Sequence, residues 1–386
     1  MGAVLASYIE EQVSGNGVPR IRLIDHPAAG DRIFTLTLAI FGFEVGQTLV
    51  PARGQNEFLS ALLMNKQLQD ILSTPVLLAT TACIEATIPF RGPDDAGRSP
   101  MEALAHRLRG VNVDYGLGMA EDELDSVVKR AVSFSNRDVD NFAEYDTGRF
   151  LDNTWKLLPE INPSLRLHGI YNIGSYRRAL RKMDAFLNQL DPETIFYHYD
   201  DEPAPGDYAR RVALAYRNVH TARQYLGLKL LAIGILEALA VMTGGDAPVA
   251  LFMGTIAEDD ETRKMEQYLP NISSVPTVDE TSTLFGLLAF GRASSSSFDL
   301  QNSPISLFIY RLIGWDHAEA LLQDARRMFD GVLDAEAFLE LVPAGIVVAI
   351  ANASAEFATT RRDQLLAYAE ARLRRPLWAE NAEAYK

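Results

Sequence analysis

The sequence predicts a mainly helical protein of two lobes, with a small β element near its N-terminus. Three observations carry this. At 386 residues the chain is too long for one small core and suits two domains. With 48% of its residues apolar it can fill both cores, so disorder is not the default. From residue 55 onward the apolar residues recur mostly at helical spacing, interrupted by Pro and Gly.

Taken in order, residues 4–13 read as a short helix, followed by Gly15-Asn16-Gly17 and Pro19, so that 1–31 forms an arm leading into the fold. Residues 32–50, RIFTLTLAIFGFEVGQTLV, are rich in Ile, Phe, Thr and Val and read as one or two strands. Residues 55–88 read as helix broken at Pro75, and 89–100, PFRGPDDAGRSP, as a loop. Helices then alternate with short breaks to about residue 200. The acidic segment 198–207, HYDDEPAPGD, reads as a surface loop near a lobe boundary. Long helices are expected over 208–243, 256–268, 304–328, 334–358 and 360–374. The expected division is an arm at 1–31, an N-lobe at 32–207, a C-lobe at 208–358 and a short extension at 359–386.

Composition narrows the function. One cysteine, Cys83, excludes a disulfide framework, and six scattered histidines offer no zinc spacing. No metal or cofactor is expected. The first residues, MGAVLA, lack the charged start of a signal peptide and the Ser or Thr of a myristoylation site. The most apolar stretch, 226–243, contains Lys229 and Glu237, and reads as a buried core helix with no membrane insertion. No HExxH, GxSxG, Walker or Rossmann pattern occurs, and no enzyme activity is expected.

The net charge of −15 argues against nucleic acid only if the basic residues are dispersed. They are not. Residues 156–183 hold six Lys/Arg and one acid, Glu160, with Arg177, Arg178, Arg181 and Lys182 nearly contiguous. On a helix these form like-charged i,i+4 pairs that repel unless an anion or acids elsewhere in the fold balance them. Residues 208–236 hold Arg210, Arg211, Arg217, Arg223 and Lys229 and no acid. Tyr171, Tyr176, Tyr208, Tyr216 and Tyr225 lie among these cations, as base-stacking groups or as core. The segment 284–304, LFGLLAFGRASSSSFDLQNSP, joins two apolar runs through a serine-rich loop. There Arg292 and the hydroxyls of Ser294 and Ser295 could meet a phosphate chain.

The order of these segments over roughly 165–358 resembles the nucleoproteins of non-segmented negative-strand RNA viruses, most nearly the rhabdovirus type. LAFGRASSSSFDLQNSPISLFIYRLIG at 288–314 is similar to that family's serine-rich loop, and LVPAGIVVAIANASAEFA at 341–358 to its small-residue helix. The runs at 170–183 and 208–245 look like its basic N-lobe segment and its long helical passage. The resemblance implies two helical lobes with an RNA-binding cleft between them. It implies single-stranded RNA as ligand, gripped by its phosphates without regard to sequence. It implies homo-oligomers in a ring or helix, with the arm lying on a neighbour. It also implies a viral phosphoprotein and polymerase as partners, and a place in the virion nucleocapsid and the host cytoplasm or nucleus. The residues it points to are Arg177, Arg178, Arg181 and Lys182 in the N-lobe, Arg217 and Arg223 near the hinge, Arg292 in the loop and Arg311 on the helix beyond. Arg210, Ser294 and Ser295 join them on the charge and hydroxyl reading. There are departures: Asn172 stands where the family tends to be basic, residues 32–50 have no counterpart, and only 359–386 follow the small-residue helix.

The competing reading is a cellular helical enzyme or adaptor whose basic clusters hold a small phosphorylated ligand. On the nucleoprotein reading, Arg292→Glu removes RNA while sparing the fold, and deleting residues 1–25 impairs assembly more than folding.

Overall fold

Two short strands, β1 (Ile9–Val13) and β2 (Pro19–Leu23), pair antiparallel with Ile9 opposite Leu23 and Val13 opposite Pro19. They form the β element of a mainly helical protein. The computed structural model describes residues 2–13, 19–26, 28, 30–166, 171–254, 264–272 and 278–374. The chain divides into two compact units, the first Met1–Ala143 with Leu190–Tyr216 and the second Glu144–Gln189 with Arg217–Lys386. This is not the division expected from sequence, because 144–189 belongs with the C-terminal part of the chain.

In unit 1, α1 (Gly2–Leu5) leads into the hairpin, and the outer edge of β2 is covered by residues 47–49 through Leu23 N to Gln47 O and Leu49 N to Ile21 O. Leu23 is fully buried among Phe34, Phe41, Leu49, Phe58 and Leu62, with Leu5, Tyr8, Ile9 and Ile21 packed alongside. The expected free arm is therefore part of the unit 1 core. Residues 9–13, expected in a helix, are a strand.

The expected strand at 32–41 is α2 (Arg32–Phe41). Phe34, Leu38 and Phe41 face the core around Leu23, while Leu36 and Ile40 face a second core built from Leu78, Ala82, Leu104, Leu108, Val128 and Val132. A helix buried on two sides has no polar stripe, so its period does not show. The second core is supplied by α4 (Thr74–Ala86), α5 (Pro100–Asp114) and α6 (Glu121–Asp138), while α3 (Gln55–Leu68) gives Phe58, Ala61 and Leu62 to the core around Leu23 and packs on α2 and α4. Pro75 falls in the first turn of α4, and α5 starts on a Ser99–Glu102 capping box with Pro100 at its first position.

Asp31 caps α2 through the Phe34 amide and also accepts from Lys66 Nζ at 2.6 Å and Tyr8 Oη at 2.7 Å. Burial pushes its pKa up, but the Lys66, Phe34 and Tyr8 bonds outweigh this and hold it below the ordinary aspartate value. A depressed carboxylate contributes stability that is present above its unfolded pKa and lost as pH falls through its folded pKa. Unit 1 should therefore melt at progressively lower temperature below about pH 4, and the Asp31→Asn variant should show a flatter acid limb. Identical acid limbs in circular dichroism melts would refute this.

Unit 2 begins with α7 (Thr147–Lys156), α8 (Leu158–Ile161) and α9 (Ile173–Gln189). Helix α10 (Pro205–Met242) crosses from one unit to the other at Tyr216/Arg217. It is long and apolar enough to cross a membrane, and 83% of its most apolar 18-residue window is buried inside the protein. After α11 (Val249–Met253), most of the helix expected at 256–268 lies outside the described residues, and Met265–Gln267 form a 3-10 turn. Then come α12 (Thr283–Phe290) and α13 (Pro304–Phe329), the latter kinked where Gly314 takes φ 69°. The helix expected at 334–358 is two, α14 (Ala335–Leu341) and α15 (Ala344–Ala355), because Pro343 cannot donate to the ladder. The last is α16 (Arg362–Arg374), packed along α15.

Candidate nucleic-acid interface

Below the surface of unit 2 lies a charged network. Helix α7 brings Asp152 and Trp155 to one face at i,i+3, and α10 brings Tyr225 and Lys229 at i,i+4. The loop between α12 and α13 adds Arg292 and Asp299. The Arg292 side chain has no exposed surface. Its guanidinium lies 4.7 Å from the centre of the Trp155 ring. It donates to Tyr225 Oη at 3.0 Å and Asp299 Oδ2 at 3.3 Å, and its Nε is 3.5 Å from Asp152 Oδ1. Asp299 also accepts from Trp155 Nε1 at 2.9 Å and from Lys229 Nζ. Two cations and two carboxylates thus neutralise one another. Burial alone would lower the Arg292 pKa, but Tyr225, Asp299 and Tyr176 reverse that and keep the guanidinium charged. Burial and then Asp299 push the Tyr176 hydroxyl far up, so it stays protonated. A cavity of about 20 Å³ beside Lys229, Tyr176, Asp299 and Ser303 has room for one water.

This network fixes the serine-rich loop. Arg292 N donates to Gln301 O at 3.2 Å, Gln301 Nε2 returns to Arg292 O at 2.6 Å, and Ser303 N reaches back to Leu288 O at 3.0 Å. Gly291 takes φ 99°, and any Cβ there would meet the Gln301 backbone at 2.8 Å, so the clasp admits only glycine. Ser294 Oγ donates to Asp152 Oδ2 at 2.8 Å, and Ser296 Oγ to the Asp299 carbonyl at 3.1 Å. Ser294 and Ser295 remain exposed.

The start of α7 lies against this loop. A Cβ on Gly148 would stand 3.3 Å from Ala293 N and 3.5 Å from Leu287 Cδ2. Next to Gly148, Arg149 has 70% of its side chain exposed and only a 4.0 Å approach to Asp146. Arg217 donates to the Glu144 and Tyr145 carbonyls at 2.9 and 2.7 Å, leaving Tyr145 68% exposed. Phe290, the residue before the clasp, is 81% exposed. Sequence reasoning missed Arg149, Tyr145 and Phe290, because only tertiary structure shows which aromatics stay in water.

The placement of the expected residues corrects several of them. Arg292 does not face outward alone, since Asp299, seven residues on, and Asp152, distant in sequence, hold it inside. The Arg177/Arg181 repulsion is balanced by acids elsewhere: Arg177 pairs with Glu237 at 2.7 Å, Arg181 with Asp330 at 2.8 Å, and both guanidinia cover the Phe329 ring. Arg223 caps the end of α9 by donating to Leu187 O at 2.8 Å. Arg210 pairs with Asp207 at 3.1 Å, and Arg311 with Glu280 at 3.1 Å while lying over Phe285. Tyr171, Tyr176 and Tyr225 are core. Arg178 and Lys182 stay exposed one turn apart on α9. Arg178 reaches Ser175 Oγ at 2.9 Å. Lys156, Arg166 and Lys182 are exposed and enter no ion pair among the described residues. Asn162 Nδ2, bonded to Ser175 O at 2.9 Å, ties the turn bearing Arg166 to α9.

No protein-family model, curated protein or solved structure matches this chain. The functional reading rests on the residues themselves.

Proposed function

We propose that the protein is a viral nucleoprotein that polymerises on single-stranded RNA and holds it by sequence-independent phosphate contacts. The observation that carries this is the clasped loop 291–303, which presents the exposed residues Ser294, whose hydroxyl is held by Asp152, and Ser295 near Arg149 at the start of α7. Phosphate chains are gripped by such hydroxyls, helix-start amides and arginine. The exposed cations Lys156, Arg166, Arg178 and Lys182, with few acids nearby in sequence, give unit 2 a basic segment within a chain of net charge −15. The RNA cleft between lobes, the viral phosphoprotein and polymerase as partners, and the nucleocapsid location belong to the same proposal.

Protein purified from expressing cells should carry host RNA and absorb more at 260 than at 280 nm. Affinity should fall with salt: four phosphate contacts on a single strand correspond to about a 50-fold loss between 50 and 200 mM salt. A small nucleic-acid-free species, or an affinity indifferent to salt, overturns the proposal and favours a helical enzyme or adaptor.

A further inference from the structure

We propose that Phe290, with Arg149 at the start of α7 that packs on Leu287 and Ala293, is a stacking platform for one unpaired base of the strand, and this rests on the RNA reading above. Phe290 ends α12, and at 81% exposed it is the most exposed of the protein's large hydrophobic side chains among the described residues. Isolated exposed apolar residues are common on protein surfaces. Its mounting is what sets Phe290 apart. The backbone on its C-terminal side is locked by Gly291 N to Leu287 O, by the Arg292–Gln301 clasp and by Ser303 N to Leu288 O. The ring is therefore held in water by a rigid frame. Since it is four-fifths exposed, the fold gains little from it.

Its surroundings match what a single strand needs. The exposed Ser294 and Ser295 follow within five residues, and Ser295 brings a hydroxyl beside that of Ser294, which Asp152 holds. Gly148 brings the start of α7 against Leu287 and Ala293, on either side of Phe290 in sequence, and so delivers Arg149. The acids around the start of α7 include Glu144, the N-cap Asp146, and Asp152, which is occupied by Ser294 and Arg292. An aromatic face stacks any base, a cation beside it follows the backbone, and neither reads sequence. A duplex, whose bases are already stacked, gives such a ring nothing to grip.

The test uses full-length protein freed of host RNA by a high-salt wash, with labelled 12-nucleotide oligouridine and a 12-base-pair RNA duplex as probes. Phe290→Ala should weaken oligouridine binding about 5- to 150-fold, the range of a stacked base removed by alanine substitution, and leave duplex binding unchanged. Phe290→Trp should retain affinity, with its added fluorescence quenched when oligouridine binds. If wild type binds oligouridine and Phe290→Ala binds it equally well, the platform is overturned and the RNA reading stands. If wild type binds no RNA, both fall. Loss of self-association in Phe290→Ala, with RNA affinity intact, makes the ring a contact between copies and overturns the platform.

Discussion

Arg292→Glu should destabilise unit 2 by about 3–5 kcal/mol, the usual cost of leaving a buried charge without its partner. The side chain is fully enclosed, and the substitution would place a third carboxylate between Asp152 and Asp299 with only Lys229 to balance them. It would also remove the cation from the face of Trp155 and a bond to Tyr225. For a domain of 150–250 residues this corresponds to a melting temperature lower by about 6–20 °C. Arg292→Lys should recover only part of the loss, because an ammonium cannot span Tyr225, Asp299 and Asp152 together. The melts must be run on RNA-free protein, since bound RNA would itself add stability. The sequence alone pointed the other way, to a variant that loses RNA and keeps its fold. A variant with wild-type circular dichroism and melting temperature would restore that expectation and refute the buried network.

What the sequence made legible follows its physics. Helices with one apolar face were readable, as in α3, α4 and α16, and α10 was readable by its length although its second half is buried on nearly all sides. Helix α2 was not, because Phe34 and Leu36 are buried in different cores and leave no polar stripe. The hairpin had its signal in Asn16-Gly17, set between the residues that pair as β1 and β2. It competes with the apolar spacing of residues 4–13, which reads as a helix. Charge clusters were visible, but their partners were not. Glu237 lies sixty positions beyond Arg177, and Asp152 lies 140 before Arg292, so of these partners only Asp299, seven residues after Arg292, was within reach of a local pattern. Burial sorted the rest. It drew Arg292 inward and left Arg149 and Phe290 in water. Of the residues expected to face a ligand in the serine-rich loop, Ser294 and Ser295 are exposed and Arg292 is buried.

Deleting residues 1–25 should disrupt the folding of unit 1, where an arm that only bridges subunits would leave it intact. The deletion removes Leu23, fully buried against Phe34, Phe41 and Phe58, together with the hairpin edge that satisfies Gln47 O and Leu49 N. It also removes Tyr8, whose ring lies 4.9 Å from that of Phe34 and whose hydroxyl bonds to Asp31, so the cap of α2 loses a donor. Leu23→Ala isolates the core contribution, and a large-to-small change at such a site costs about 2–5 kcal/mol. The deletion should cost more, since it exposes the aromatic cluster and leaves backbone groups unpaired. Far-UV circular dichroism and thermal melts should show the truncated protein losing a cooperative transition, and Leu23→Ala should melt earlier while assembling normally at low temperature. A truncated protein that melts like wild type but elutes as a smaller species would show that the hairpin serves assembly and that the packing around Leu23 contributes little to unit 1.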